Sequence, residues 1–274
     1  MRRLVPARRR NLLLIAFLAL ALGALVGWTQ RASIRGWFLE RSFRTALPSP
    51  QSATEAVLSQ EQPSPTPARR AAFLPVSSAH TPAGTAKTNL AVPFAPQAPF
   101  ANWAQPYQDA CEEATIIMID RFFRGASLSL QEMDAEILRM VKFQEERYGF
   151  YRDSNAAETA RLAEAFYPGL SARVVYDVTA DEIRSALARR VPVLVLVDGR
   201  KLGNPFYAQP GPERHTLVIK GVLGDKFITN DPGTRRGADF VYPVTTVMNA
   251  IEDYDGGSPG TGKPVAILLT PKAR

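Results

Sequence analysis

Residues 92–115 read VPFAPQAPFANWAQPYQDACEEAT, and they contain Cys111, the one cysteine of the 274-residue chain. The first part of this stretch is rich in proline and predicts a loop, because proline lacks a backbone donor and restricts φ. A helix is predicted to follow from Asp109 to Arg124, with Asp109 as its N-cap and Glu112 three residues later as in a capping box. Cys111 is therefore expected in the first turn of a helix.

Two residues far downstream of Cys111 have the side chains that a thiol nucleophile needs. His215 is the single histidine of residues 89–274 and begins an apolar strand, and Asp231 follows the next strand in Asn-Asp-Pro. A thiol at a helix start with a distant His and Asp is typical of cysteine hydrolases. The helix dipole is expected to stabilise a thiolate at Cys111. Glu112 and Glu113 are expected to oppose this only partly, because at helical spacing they point about 100° and 200° away from it.

Each of these three residues also has a structural interpretation. Cys111 could be a small buried apolar side chain, and His215 could be a strand histidine with a satisfied hydrogen bond. Asp231 could serve the turn that Asp-Pro-Gly predicts. Their joint occurrence favours a Cys111, His215 and Asp231 triad with His215 as the general base.

Four short motifs in this order resemble the C39-like peptidase family, within the papain-like cysteine peptidases. They are Val-Pro-Phe-x-x-Gln-x-Pro, Cys-Glu-Glu-Ala, His-Thr-Leu-Val-Ile-x-Gly and Asn-Asp-Pro, and they span about residues 89–271. The resemblance implies an α+β papain-like domain with helices first and a mostly antiparallel sheet later. It also implies a thiol protease that cleaves peptide or amide bonds.

A cysteine hydrolase also needs donors for the developing oxyanion. The backbone N–H of Cys111 is one, and a glutamine side chain upstream is expected to be the second. Gln97, Gln105 and Gln108 are the candidates. The family motif matches Gln97, while its wide spacing from Cys111 keeps Gln105 as the alternative.

The helix and strand signals after Cys111 predict the same α+β class. Capping-box pairs open three further helices, and apolar β-branched runs predict strands. The predicted helices begin at Ser129, Asn155 and Thr179, and the predicted strands cover 191–197, 216–222, 226–229 and 266–270. For His215 and Asp231 to share a face, the hairpin through Gly224 needs a three-residue loop or a β-bulge.

The N-terminal part of the chain differs in charge from the rest. Residues 1–44 carry nine Arg and one Glu (net +8), residues 45–88 are net +1 and residues 89–274 net −2, which sum to the overall +7. The basic excess therefore lies outside the predicted domain, which argues against nucleic-acid binding. Residues 12–28 are uncharged and predict a transmembrane helix behind a cytoplasmic basic segment, 1–11. A cleaved signal peptide is the alternative.

We therefore expect a single-pass signal-anchor protein of the cell membrane. A juxtamembrane segment and a disordered Pro/Ser/Thr/Ala-rich linker are predicted over 29–88, before an extracytoplasmic domain over 89–274. The expected partner is a peptide or peptide-like substrate, and oligomeric state is left open. Two alternative functions are an acyltransferase that uses the same triad and a catalytically inactive peptide-binding module.

No cofactor and no metal is predicted. Residues 257–263 read GSPGTGK, which has the spacing of a phosphate-binding loop. Pro264 stands where a Ser or Thr would bind magnesium, so we interpret the segment as a surface loop. Asp253 and Asp255 lack the spacing of a calcium loop.

Overall fold

The computed structural model describes residues 47–53, 87–254 and 256–273. The predicted basic segment 1–11 and transmembrane helix 12–28 lie outside these residues, as does most of the predicted linker. None of the helices within the described ranges has the length and apolar character needed to cross a membrane.

Six α-helices occur in the described ranges. They are α1 (Cys111–Phe123), α2 (Leu130–Tyr148), α3 (Ala156–Phe166), α4 (Ala180–Ala188), α5 (Gly199–Leu202) and α6 (Val244–Ala250). The capping boxes predicted for α2, α3 and α4 are confirmed, since Ser129, Asn155 and Thr179 each accept a hydrogen bond from the backbone N–H three residues on.

The start of α1 differs from the prediction. A single 3₁₀ turn at Tyr107–Asp109 comes first, and α1 begins at Cys111 with Ala110 at its N-cap and no side-chain cap. Asp109 is held in the turn, where its carboxylate accepts from Gln105 Nε2 at 2.7 Å. The predicted N-cap role of Asp109 is therefore wrong, and Cys111 is the first helical residue.

The helices accompany one seven-stranded sheet whose strand pairs are antiparallel within the described residues. The main order is β2-β7-β3-β4-β5-β6, and β1 pairs with the C-terminal end of β4. The strands are β1 (Lys87–Asn89), β2 (Leu170–Tyr176), β3 (Val193–Val197), β4 (His215–Leu223), β5 (Lys226–Asn230), β6 (Phe240–Pro243) and β7 (Val265–Pro271). The four predicted strands are confirmed. Strands β1, β2 and β6 were not predicted. Strand β1 has only three residues, and β2 and β6 are outer strands that are only partly buried, so their apolar signal is weak.

The hairpin between β4 and β5 decides where the predicted triad residues lie. Leu223 pairs with Lys226 across a two-residue turn, and the register shifts between Ile219 and Gly221 before Val218 meets Asn230. The bulge inserts one extra residue in β4. With this residue, the side chains of His215 and Asp231 lie on the same face of the sheet, whereas a plain two-residue turn would put them on opposite faces. The sequence left open a three-residue loop or a β-bulge, and the structure contains the bulge.

Part of the predicted linker contacts the domain. Gln51 forms a bridge with Leu90, its N–H donates to the Asn89 carbonyl at 2.7 Å, and its own carbonyl accepts from Ala91 N–H at 2.8 Å. Strand β1 begins at Lys87, two residues before the predicted domain boundary. Residues 47–53 therefore lie along the sheet's first strand.

Candidate active site

Cys111 lies at the N-terminal end of α1, which packs against β4. Its side chain is almost fully buried. As the first helical residue it has a backbone N–H without an intrahelical acceptor, because the first four N–H groups of a helix have none. The site thus has a thiol and an orphan donor on one residue.

His215 and Asp231 form a buried hydrogen-bonded pair at the open end of the β4–β5 hairpin. His215 is the first residue of β4, Asp231 directly follows β5, and His215 Nε2 lies 2.8 Å from Asp231 Oδ1. The same Oδ1 accepts from the Gly233 N–H at 3.1 Å. A Cβ at Gly233 would lie 2.8 Å from His215 Cε1, so this glycine makes room for the imidazole.

The second oxygen of Asp231 has three further donors that the sequence did not indicate. Oδ2 accepts from Tyr207 Oη at 2.5 Å, from Tyr242 Oη at 2.7 Å and from Asn204 Nδ2 at 3.2 Å. Burial alone would raise the pKa of Asp231, but the charge of His215 and these hydrogen bonds outweigh it and lower the pKa below its ordinary value. Asp231 is therefore held as a carboxylate.

A cavity of about 540 Å³ opens beside these residues. Its lining includes Gln97, Cys111 and His215, so the structure brings three of the four predicted site residues to one cavity. Asp231 lies behind His215, fully buried. The rest of the lining is mainly aromatic or small; it consists of Trp103, Gln108, Phe206, Tyr207, Ala208, Gly211, Pro212, Arg214 and Gly233.

The three candidate glutamines have different surroundings. Gln97 is buried, and its Nε2 donates to the carbonyls of Tyr107 and Gln108, both at 3.0 Å. Its Oε1 has no partner among the described residues. Gln105 is turned to Asp109 and away from the cavity lining, whereas the exposed Gln108 lines it. An oxyanion role for Gln97 stays a prediction, and it requires one amide hydrogen to be shared with a loop carbonyl.

The electrostatics of Cys111 contradict the expected lowering of its pKa. Cys111 Sγ donates to Glu112 Oε2 at 3.1 Å, although the sequence placed that side chain away from the sulfur. Burial raises the pKa of the Cys111 thiol well above its usual range, and the charge of Glu112 and its hydrogen bond raise it further. Burial also raises the pKa of Glu112, and that of Glu113 to about 7. Helical spacing failed here because a flexible glutamate can turn back toward its neighbour.

The residues described by the structure include no group of three or more His, Cys, Asp or Glu side chains placed to hold a metal ion. In the segment 257–263, the backbone N–H of Gly260 donates to Glu252 Oε1 at 2.5 Å. A carboxylate thus occupies a donor that a phosphate-binding loop would keep for its ligand.

Similar proteins are found among solved structures. No protein-family model matches the chain, and no curated protein matches it. Among solved structures, it is similar to a C39-like peptidase from Bacillus anthracis, with 14% identity, a TM-score of 0.43, and coverage of 68% of this chain and 98% of that one.

Two further structures belong to transporter-associated peptidases. One is a double glycine motif protease from an AMS/PCAT transporter, in complex with its leader peptide, with 17% identity, a TM-score of 0.35 and coverage of 59% and 84%. The other is the peptidase domain of Streptococcus ComA, with 14% identity, a TM-score of 0.36 and coverage of 66% and 99%.

Proposed function

We propose that this chain is a cysteine-type peptidase or amide hydrolase in which Cys111 is the nucleophile, His215 the general base and Asp231 its orienting carboxylate. The observation that carries the proposal is the His215–Asp231 pair at 2.8 Å, whose histidine lines the same cavity as the chain's one cysteine. The substrate is a peptide or a peptide-like amide.

The contact of His215 with Asp231 supports a division of roles between the two ring nitrogens. Nε2 is bound to Asp231, so Nδ1 is the nitrogen that accepts the proton of Cys111 Sγ. The sulfur then attacks the carbonyl carbon, and the negative oxygen is stabilised by the Cys111 N–H. His215 returns the proton to the amine as the C–N bond breaks, and water hydrolyses the resulting thioester.

Membrane attachment forms part of the same proposal. The support is the uncharged run 12–28 behind five arginines within residues 1–10. The domain would then act outside the cytoplasm, on substrates within reach of the intervening segment. Protease treatment of intact cells tests this, since cleavage within residues 54–86 should release the domain. A domain that is protected in intact cells and accessible only after lysis would contradict the topology.

A thiol-directed activity probe tests the catalytic assignment. Wild-type protein should react with an electrophilic peptide and release product from peptide substrates, whereas Cys111→Ala should do neither. His215→Ala should lose turnover while retaining the thiol. Product analysis with an added amine separates hydrolysis from acyl transfer.

One observation favours a non-catalytic peptide-binding module as the second candidate. Glu112 is hydrogen-bonded to Cys111 and, together with burial, raises the pKa of the thiol. A protein with such a thiol and no turnover on any peptide, yet with measurable peptide binding, would support this second candidate.

A further inference from the structure

The cavity beside Cys111 has one lining residue with a permanent charge, Arg214. The other described residues around it are aromatic, small or uncharged polar, apart from the histidine, and no Asp or Glu is among them. A substrate in this cavity would therefore meet a positive charge that no acidic lining residue offsets.

Arg214 is held in place without being fully paired. Its guanidinium lies 5.4 Å from the centre of the Tyr254 ring. Tyr254 Oη in turn donates to the His215 carbonyl at 2.6 Å, so the ring that supports Arg214 is tied to the proposed catalytic histidine. Arg214 therefore lines the same cavity as Cys111 and His215.

Among the described residues, Arg214 forms one ion pair, and its geometry is weak. Arg214 Nη1 lies 3.5 Å from Asp153 Oδ2, beyond the usual hydrogen-bond range. The Arg214 side chain is 29% exposed, whereas that of Asp153 is 50% exposed and better screened by water. Burial raises the pKa of Asp153 despite the nearby arginine, so the carboxylate gains less from the pair than its partial desolvation costs.

We infer that Arg214 binds a carboxylate of the substrate beside the bond to be cleaved, so that the preferred substrates are acidic peptides. A guanidinium accepts a carboxylate through two parallel N–H donors, and this geometry is open because no described residue forms a hydrogen bond with Arg214 within normal distance. On binding, the substrate carboxylate replaces Asp153, which is exposed enough to turn to water. The inference deepens the proposed function and rests on it for the position of the scissile bond.

Peptide binding to a Cys111→Ala background tests the inference independently of turnover. Fluorescein-labelled peptide pools would carry Glu or Gln at each varied position, with free or amidated C-termini. The Glu and Gln arms report on an acidic side chain, and the terminal arms report on a free carboxylate. We expect a tenfold or greater preference for one carboxylate arm, which is lost in Arg214→Gln and reversed in favour of the neutral arm in Arg214→Glu.

Arg236→Gln is the matched control. Arg236 lies over the ring of Phe206, which lines the same cavity, but Arg236 is not part of the lining. This variant should keep the preference for a carboxylate. Equal binding of acidic and neutral pools, or a preference unchanged in Arg214→Gln, would overturn the inference, as would binding of neither pool. Peptide cleavage by the wild type separately tests the hydrolase assignment, so failure of one can be told from failure of the other.

Discussion

Replacing Glu112 by glutamine should make Cys111 more reactive toward iodoacetamide at neutral pH. In the native protein the thiol is buried and donates to the Glu112 carboxylate at 3.1 Å, and both features raise its pKa. Glutamine keeps the size of the side chain and removes its charge. The thiolate, which is the reacting form, then becomes more populated at a given pH.

The expected size of the effect follows from this contact. A unit charge at 3.1 Å is worth about 5 kcal/mol at an effective dielectric of about 20. This corresponds to roughly four powers of ten in thiolate population, at about 1.4 kcal/mol for each. A thiolate of lower pKa is less nucleophilic, which removes about half of the gain on a logarithmic scale. The raised pKa of Glu112 reduces its negative charge in the native protein and lowers the gain further, so we expect an increase of about tenfold.

The assay is the rate of alkylation between pH 6 and 10, followed by intact mass. Because Cys111 is the only cysteine, adducts that are absent from Cys111→Ala report on this site. Glu113→Gln is the control, since Glu113 is equally buried but bonds Gln144 and not the sulfur. It should change the rate less than about threefold, because the Coulomb interaction falls with distance. An unchanged or slower rate in Glu112→Gln, or an equal gain in Glu113→Gln, would refute the reasoning.

Three other outcomes are expected. Gly233→Ala should lower kcat about 100-fold, because the new Cβ would lie 2.8 Å from His215 Cε1 and misplace the ring; near-normal turnover would contradict this. The folded-state pKa of Asp231 is lowered, so its stabilising contribution is present above about pH 4 and is lost as pH falls through the folded pKa. The unfolding free energy of Asp231→Asn should therefore fall less steeply than that of the wild type as the pH is lowered. Gln97→Ala should lose about 10²–10³ in turnover if it serves the oxyanion, and Gln105→Ala little; the reverse result would assign the role to Gln105.

Local sequence signals were sufficient for much of the fold. The capping boxes at Ser129, Asn155 and Thr179 were identified correctly because each involves residues only three positions apart. The buried strand β3 was identified because all five of its side chains are apolar, and β4 because it contains the apolar runs Leu-Val-Ile and Val-Leu. Asp109 had the same local signal as the true caps but is held in a 3₁₀ turn, where its carboxylate accepts from Gln105.

The sequence by itself also determined which residue types could form a nucleophilic site, since it contains one cysteine and one histidine in residues 89–274. Only the tertiary structure decided how they meet. The bulge between Ile219 and Gly221 puts His215 and Asp231 on the same face of the hairpin, and it depends on the register between two strands.

The environment of the charged groups was likewise decided by packing. Tyr207 and Tyr242 reach the Asp231 carboxylate from distant segments, and their burial leaves their hydroxyls dependent on a partner inside the protein. Burial raises the pKa of the Cys111 thiol, and the charge and hydrogen bond of Glu112 raise it further, which reverses the direction expected from the sequence. Spacing along a chain predicts which side chains are available, whereas pKa values depend on solvent exclusion and nearby charges, which exist only once the chain is folded.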